Sequence, residues 1–198
     1  MGHWTPANMP NLSDKVAIVT GANSGLGFQT TLELARHGAK VILACRDQGK
    51  TQAAMHSIQL QVPNAKLEFM KLDLADLDSV AAFADAFKQK YKQLDFLFNN
   101  AGVMALPETR TRQGFEMQFG TNHLGHFALT GHLLPTLLAT PGARIINTAS
   151  LAHDMARRGL SFDDLNWQRR TYHKWGAYGA SKLSNLLFTY EMNRRLQK

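Results

Sequence analysis

The chain has 198 residues, 44% of them apolar, and Lys plus Arg outnumber Asp plus Glu by 22 to 15, giving a net charge of +7. This fits one ordinary core, with no run approaching the roughly 20 apolar residues of a membrane span and no signal-peptide stretch in residues 1–13. A lone cysteine, Cys45, excludes an internal disulfide framework and a cysteine zinc site and suits a cytoplasmic protein, while the scattered basic pairs (Arg157-Arg158, Arg169-Arg170, Arg194-Arg195) read as a solvated surface, not a nucleic-acid face.

Short β-branched runs alternate with longer amphipathic ones, the pattern of repeated βαβ units. Strands are expected near 15–20, 40–45, 66–71, 94–98 and 143–149, and helices near 25–37, 48–61, 76–91, 114–138 and 175–197. Gly38 reads as a helix stop and Asp76 as a helix start, whereas Pro135 should bend or end the helix it occupies. Residues 151–174 form the longest irregular stretch, and long loops in compact domains are usually functional or mobile. The expected fold class is α/β: a doubly wound parallel sheet of Rossmann type in three α/β/α layers, formed by residues 14–198 behind an N-terminal arm, 1–13.

Val16-Ala17-Ile18-Val19 runs into Thr20-Gly21-Ala22-Asn23-Ser24-Gly25-Leu26-Gly27, a glycine-rich strand-to-helix turn. Glycines there let the backbone approach a pyrophosphate, and the helix start presents unpaired N–H groups to its charge. By itself the same pattern also fits a packed turn without ligand. Far downstream lie Tyr178 and Lys182, one helical turn apart and so on one face. Alone, such a pair is common on solvated helices.

Taken with Asn99-Asn100-Ala101-Gly102 after the fourth strand, these motifs resemble the short-chain dehydrogenase/reductase family from Lys15 onward. The resemblance implies that Gly21, Asn23, Ser24, Gly25, Leu26 and Gly27 surround a dinucleotide pyrophosphate. It implies that Asp73 and Leu74 meet adenine, although Asp73 reads equally well as a helix cap. Asn100, Ala101 and Gly102 would support the sheet and border the ribose. At the end of the second strand the acidic position of NAD enzymes falls on Cys45, with Arg46 next; a guanidinium there suits a 2′-phosphate. NADP(H) is therefore expected in preference to NAD(H), with Asp47 as the opposing feature.

The same resemblance assigns catalysis to Asn122, Ser150, Tyr178 and Lys182. Ser150 would hold the substrate oxygen and Tyr178 would act as acid or base for hydride transfer between the cofactor and a small apolar alcohol or carbonyl. An ordinary tyrosine titrates at about 10, so a neighbouring ammonium favours its phenolate. Tyr178 and Lys182 would also touch the cofactor. Asn122 would distort its helix and use its backbone carbonyl to organise a water beside Lys182.

The long Ser150–Tyr178 separation, with Asn122-His123-Leu124-Gly125-His126-Phe127, resembles the branch holding retinol dehydrogenases and WW-domain oxidoreductases. No metal site is expected, because His123 and His126 lack the Glu of H-E-x-x-H and a third ligand. Ser150 and His153 lack the glycines of a hydrolase elbow. Relatives continue past the Tyr/Lys helix into further strands, so the resemblance implies a C-terminally truncated chain lacking the family's last strands. That expectation leaves a second reading open, a non-catalytic dinucleotide- or partner-binding module. Homo-oligomers also stay open, since the helices near 114–138 and 175–197 pair between subunits in many relatives.

Overall fold

Val16–Thr20 (β1), Lys40–Cys45 (β2) and Phe96–Asn99 (β4) are apolar strands because they lie in the interior of a sheet covered on both faces. Lys66–Lys71 (β3) closes one edge, with lysines at its two exposed ends, and Arg144–Asn147 (β5) the other. The computed structural model describes residues 5–196; residues 1–4 of the expected arm and residue 197 of the expected last helix lie outside the described residues.

The five strands run in the order β3-β2-β1-β4-β5. The pairs β1–β2, β1–β4 and β2–β3 are parallel, in the registers Ile18↔Ile42, Ile18↔Leu97 and Ala44↔Met70. The order reverses at β1, which puts a topological switch point at the carboxyl ends of β1 and β4. With flanking helices this is a Rossmann-type α/β fold.

The chain divides into two compact units. The first comprises the chain up to Leu72, with Lys88–Asn100 and Pro135–Ile146, and holds the sheet. Its core joins Ala17, Val19, Leu34, Val41, Leu43 and Cys45. Complete burial of Ile18, Ile42 and Leu43 contributes about 1.5–3 kcal/mol each. Two α-helices belong wholly to it: Gly25–Arg36 (α1), stopped before Gly38 at φ +88°, and Gln48–Gln61 (α2). At the amino end of the sheet buried Asp95 accepts from the Val16 N–H at 2.9 Å, the Gln93 amide at 2.8 Å and the Lys15 ammonium at 2.9 Å. Burial pushes its carboxyl up, but these bonds outweigh that and leave it below its ordinary value.

The second unit comprises Asp73–Phe87, Ala101–Leu134 and the chain from Asn147 onward. Leu77–Lys90 (α3) starts after Asp76, whose carboxylate accepts from the Asp78 N–H at 3.0 Å. The helix expected at 114–138 proves composite: Met117–Phe119 (α4), a π-helical turn Gly120–Leu124, and Gly125–Ala139 (α5). Pro135 does not end it; α5 runs on to Ala139. A 3₁₀ helix, Leu151–Ala156, follows β5, and Lys174–Leu196 (α6) is the longest element. Residues 157–173, expected as a loop, are fastened at several points. The Tyr172 hydroxyl donates to Glu116 at 3.0 Å, Arg110 donates to the Asn166 carbonyl, and the Arg170 guanidinium stacks 3.7 Å from the Trp167 ring centre. Among the described residues no helix is long and apolar enough to cross a membrane, and no cluster of three or more His, Cys, Asp or Glu could hold a metal ion.

Candidate active site

At the carboxyl end of β1 the chain turns through Gly21 and Gly25, both at positive φ, and enters α1. Gly27 is required for close approach: a Cβ there would overlap the Gly21 carbonyl oxygen and stand 2.5 Å from Asn100 Nδ2. Asn100 closes the turn, its amide donating to the Thr20 carbonyl at 2.8 Å and its backbone N–H to the Thr20 hydroxyl at 2.9 Å. Thus the turn and the end of β4 form one hydrogen-bonded structure. Ser24 occupies the N-cap position of α1 without a side-chain cap bond, and the first helical turn carries no acidic residue. The leading N–H groups keep their donor capacity, as an anion site needs.

Beyond β2, Cys45 is buried beneath this turn, and burial pushes its thiol up despite contacts with Thr51 and the backbone of Gly21, Ala22 and Asn23. Arg46 is exposed. Asp47, the opposing feature in the cofactor argument, caps α2 by accepting from the Lys50 N–H at 2.9 Å and lies 3.9 Å from the Lys50 ammonium. Its carboxylate is therefore engaged locally.

The second unit carries the remaining positions. Asp73 accepts from the Ala75 N–H at 3.0 Å, and a Cβ on Gly125 would overlap the Leu74 carbonyl, so Asp73-Leu74 packs on the start of α5. Asn122 lies in the π-turn, fully buried. Its side chain accepts from the Val103 N–H at 2.8 Å and donates to the Val103 carbonyl at 2.9 Å and the Ser181 hydroxyl at 3.0 Å. Such π-turns are rare and concentrate at functional sites. A Cβ on Gly102 would stand 3.2 Å from Asn122 Oδ1 and 3.6 Å from Lys182 Nζ, so a side chain at this position would meet both.

α6 buries a polar face: Ser181, Lys182, Ser184 and Asn185. Burial pushes the Lys182 ammonium below its ordinary value; it donates to the Thr148 carbonyl at 3.0 Å and lies 5.8 Å from the Tyr178 ring centre. The Trp175 ring meets the Tyr178 ring edge-on, 6.4 Å between centres.

β5 ends at Asn147, earlier than expected, so Ser150 is not a strand residue but the N-cap of the following 3₁₀ helix. Its hydroxyl accepts from the Ala152 N–H at 3.1 Å. That 3₁₀ helix presses on α6 at Gly179, where a Cβ would stand 2.7 Å from the Ala152 carbonyl oxygen. The Ser150 turn is thereby held against the residue following Tyr178.

The structure thus gathers Asn122, Ser150, Tyr178 and Lys182 in the second unit and Gly21, Gly27 and Asn100 in the first. Sequence reading missed Thr148, Asn185 and His126, which bond to this constellation. Asn185 was detectable in principle, since it lies three residues beyond Lys182 and shares its helix face.

The short chain dehydrogenase family model matches residues 15–162. Human retinol dehydrogenase 13 is 52% identical over 183 residues, covering 92% of this chain and 55% of that protein. The chain therefore spans about half the length of the curated relatives it matches. Among solved structures, an uncharacterised protein from Mycobacterium paratuberculosis superposes with a TM-score of 0.85 at 47% identity, covering 98% of this chain and 67% of the other. A short chain dehydrogenase from Escherichia coli CFT073 complexed with NADPH gives 0.75 at 26% identity, covering 94% and 73%. With the glycine turn and the Asn-Asn-Ala-Gly turn inside the matched span, and human retinol dehydrogenase 13 matching over 92% of the chain, this chain belongs to the short-chain dehydrogenase family.

Proposed function

We propose that the chain carries the dinucleotide site and reaction centre of an NADP(H)-dependent oxidoreductase that interconverts a small apolar alcohol and its carbonyl, with Tyr178 as acid and base. The observation that carries this reading is the arrangement on α6: a buried ammonium, Lys182, beside the Tyr178 ring, with the Ser150 turn packed on the intervening Gly179.

The residues present fit the cofactor. The uncapped start of α1 offers N–H groups to a pyrophosphate, and a Cβ built on Gly25 meets nothing within 4 Å, so open space lies before the turn. Asn23, Ser24 and Leu26 border that space by sequence. Asp73, Leu74, Ala101 and Gly102 serve the adenosine and ribose portions in this reading. Arg46 serves a 2′-phosphate, and NAD(H) is the weaker alternative. The NADP complexes among the solved relatives support the same preference.

When bound, the nicotinamide supplies or accepts hydride. The protein supplies the proton and the geometry. Because the Ser150 hydroxyl accepts from the Ala152 N–H, its own proton is the donor it offers to a substrate oxygen. In reduction the Tyr178 phenol gives its proton to that oxygen; in oxidation its phenolate takes the alcohol proton. Lys182 has three N–H donors, of which one goes to Thr148; the others serve the cofactor ribose and the phenolate. Asn122 anchors the backbone at Val103 beneath them. The apolar substrate class is supported by Trp175 and Met155 beside the centre and by relatives named retinol dehydrogenases.

The test is NADPH oxidation by the purified chain across a panel of apolar aldehydes and ketones. Tyr178→Phe should abolish turnover while leaving NADPH binding largely intact. Full activity in that variant, or NADPH binding without oxidation in the parent chain, would overturn the catalytic reading.

A further inference from the structure

Among the described residues, Ala105 and Trp167 are the non-glycine residues held at positive φ. Such a conformation is strained, persists only where the surroundings fix it, and concentrates at functional sites. Trp167 has a local cause, because its turn closes on the Asp164 carboxylate, which accepts from the Gln168 N–H at 2.7 Å and the Arg169 N–H at 3.2 Å. Ala105, at φ +53°, is fixed from other elements. Its N–H donates to Gln118 Oε1 at 2.7 Å, and the same buried amide donates to the Lys174 carbonyl at 2.8 Å and the Tyr172 hydroxyl at 2.9 Å. The Tyr172 hydroxyl in turn lies 3.2 Å from the Leu106 carbonyl. One side chain therefore ties the Ala105 backbone to the first residue of α6.

Two residues earlier, both backbone groups of Val103 bond the Asn122 side chain, and a Cβ on Gly102 would stand 3.6 Å from Lys182 Nζ. Lys174, Tyr178 and Lys182 follow one another at one-turn intervals on α6. The stretch 102–105 is thus anchored at both ends of the span of α6 that carries Tyr178. Met104 stands between the two pinned residues Val103 and Ala105, and it is 57% exposed. A methionine there has an adaptable apolar side chain on a backbone that cannot adapt.

From this frame we infer that Met104 is a specificity-determining residue: its side chain packs on the hydrocarbon chain of the substrate while the reacting oxygen lies at Tyr178. The inference deepens the oxidoreductase reading and rests on Tyr178 as its acid and base. Gln118 acts through the backbone, holding the strained Ala105 so that Met104 is presented in one place.

The test compares decanal with propanal in steady-state kinetics with NADPH, for the parent chain and for Met104→Ala. The loss of even one methylene contact in an apolar site is worth about tenfold or more in kcat/KM, so the decanal-to-propanal ratio of kcat/KM should fall about tenfold in the variant while the NADPH dissociation constant holds. Met104→Leu, of similar volume, should restore most of the ratio. A second readout needs no turnover: the Met104 methyl NMR signal, assigned by its loss in Met104→Ala, should shift when decanol is added to the NADPH-loaded chain, a pair that cannot react, and move much less with propanol. A ratio unchanged in Met104→Ala, or a Met104 signal that decanol leaves in place, would overturn the assignment. If the parent chain shows no turnover, the oxidoreductase reading falls by itself and the methyl signal still decides whether Met104 meets an apolar chain.

Discussion

Gly179 packs against Ala152 so closely that a single methyl group on its Cα would stand 2.7 Å from the Ala152 carbonyl oxygen and 2.9 Å from Met155 Cβ. Glycine inside a helix ordinarily costs about 0.5–1 kcal/mol relative to alanine, so at an open position Gly179→Ala would stabilise α6. Here backbone meets backbone, and overpacking of this kind costs about 1–3 kcal/mol, which wins. Gly179→Ala should therefore lower the melting temperature and displace the Ser150 turn, reducing kcat more than NADPH affinity. A rise in melting temperature with unchanged kinetics would show that the contact does not constrain the turn.

The glycine turn separates two effects that look alike in sequence. Gly25 lies at φ +54° with open space where a Cβ would go, so Gly25→Ala should cost about 1–2 kcal/mol of left-handed strain and leave a folded chain with weaker NADPH binding. Gly27 meets the Gly21 carbonyl and the Asn100 amide, so Gly27→Ala must break the hydrogen-bonded end of β4 as well. Melting curves of the two variants check this. Equal losses of stability would refute the distinction.

For Arg46 the expected discrimination is electrostatic. A guanidinium–phosphate pair is charge-assisted and absent with NADH, so Arg46→Ala should weaken NADPH binding by about tenfold or more and NADH binding far less. Fluorescence titration with both cofactors measures the ratio; parallel weakening would reject the assignment. Asp47→Ala isolates the other role, since its loss removes the α2 cap, at about 1 kcal/mol, without changing the preference.

Much of this is legible in residue order. β1 and β4 read as apolar runs ended by a glycine and an asparagine turn, and β1, β2 and β3 match their expected ranges to within a residue. The Gly38 stop is legible because it meets a local need, a positive φ after α1, whereas the Asp47 cap emerges only in the structure. β5 reads too long in sequence, because Thr148 and Ala149 extend the apolar pattern although the chain has already left the strand to form the Ser150 cap. A distortion at Asn122 is implied by the family resemblance, but its π-helical form is not, and in the structure Asn122 reaches out of the helix to both backbone groups of Val103. Of the two outcomes expected at Pro135, a bend or an end, the helix does not end, since α5 runs on to Ala139. Asn185 carries no motif and His126 enters the sequence reading only as part of the Asn122–Phe127 run, so the carbonyls they meet reveal what they do.

His126 makes stability depend on pH in a direction opposite to that of a histidine with a carboxylate partner. Complete burial pushes the ring down to about 4 from the ordinary 6.5, against the favourable Asn122 carbonyl and with further lowering by Lys182 and His123. The folded chain therefore keeps His126 neutral where the unfolded chain takes up a proton. Its contribution is intact above pH 6.5 and is lost progressively as the pH falls from 6.5 toward 4, by a few kcal/mol in all, since every tenfold loss of proton affinity on folding corresponds to about 1.4 kcal/mol. Burial lowers His123 as well, so it acts with the same sign. Urea unfolding between pH 7 and pH 4 should show this decline, and His126→Phe, which has no proton to gain, should flatten it at some cost in stability at neutral pH. A decline of the same slope in that variant would place the acid sensitivity elsewhere; Asp95 is not its source, since the stabilising contribution of that carboxylate is lost only as pH falls through values below 3.8.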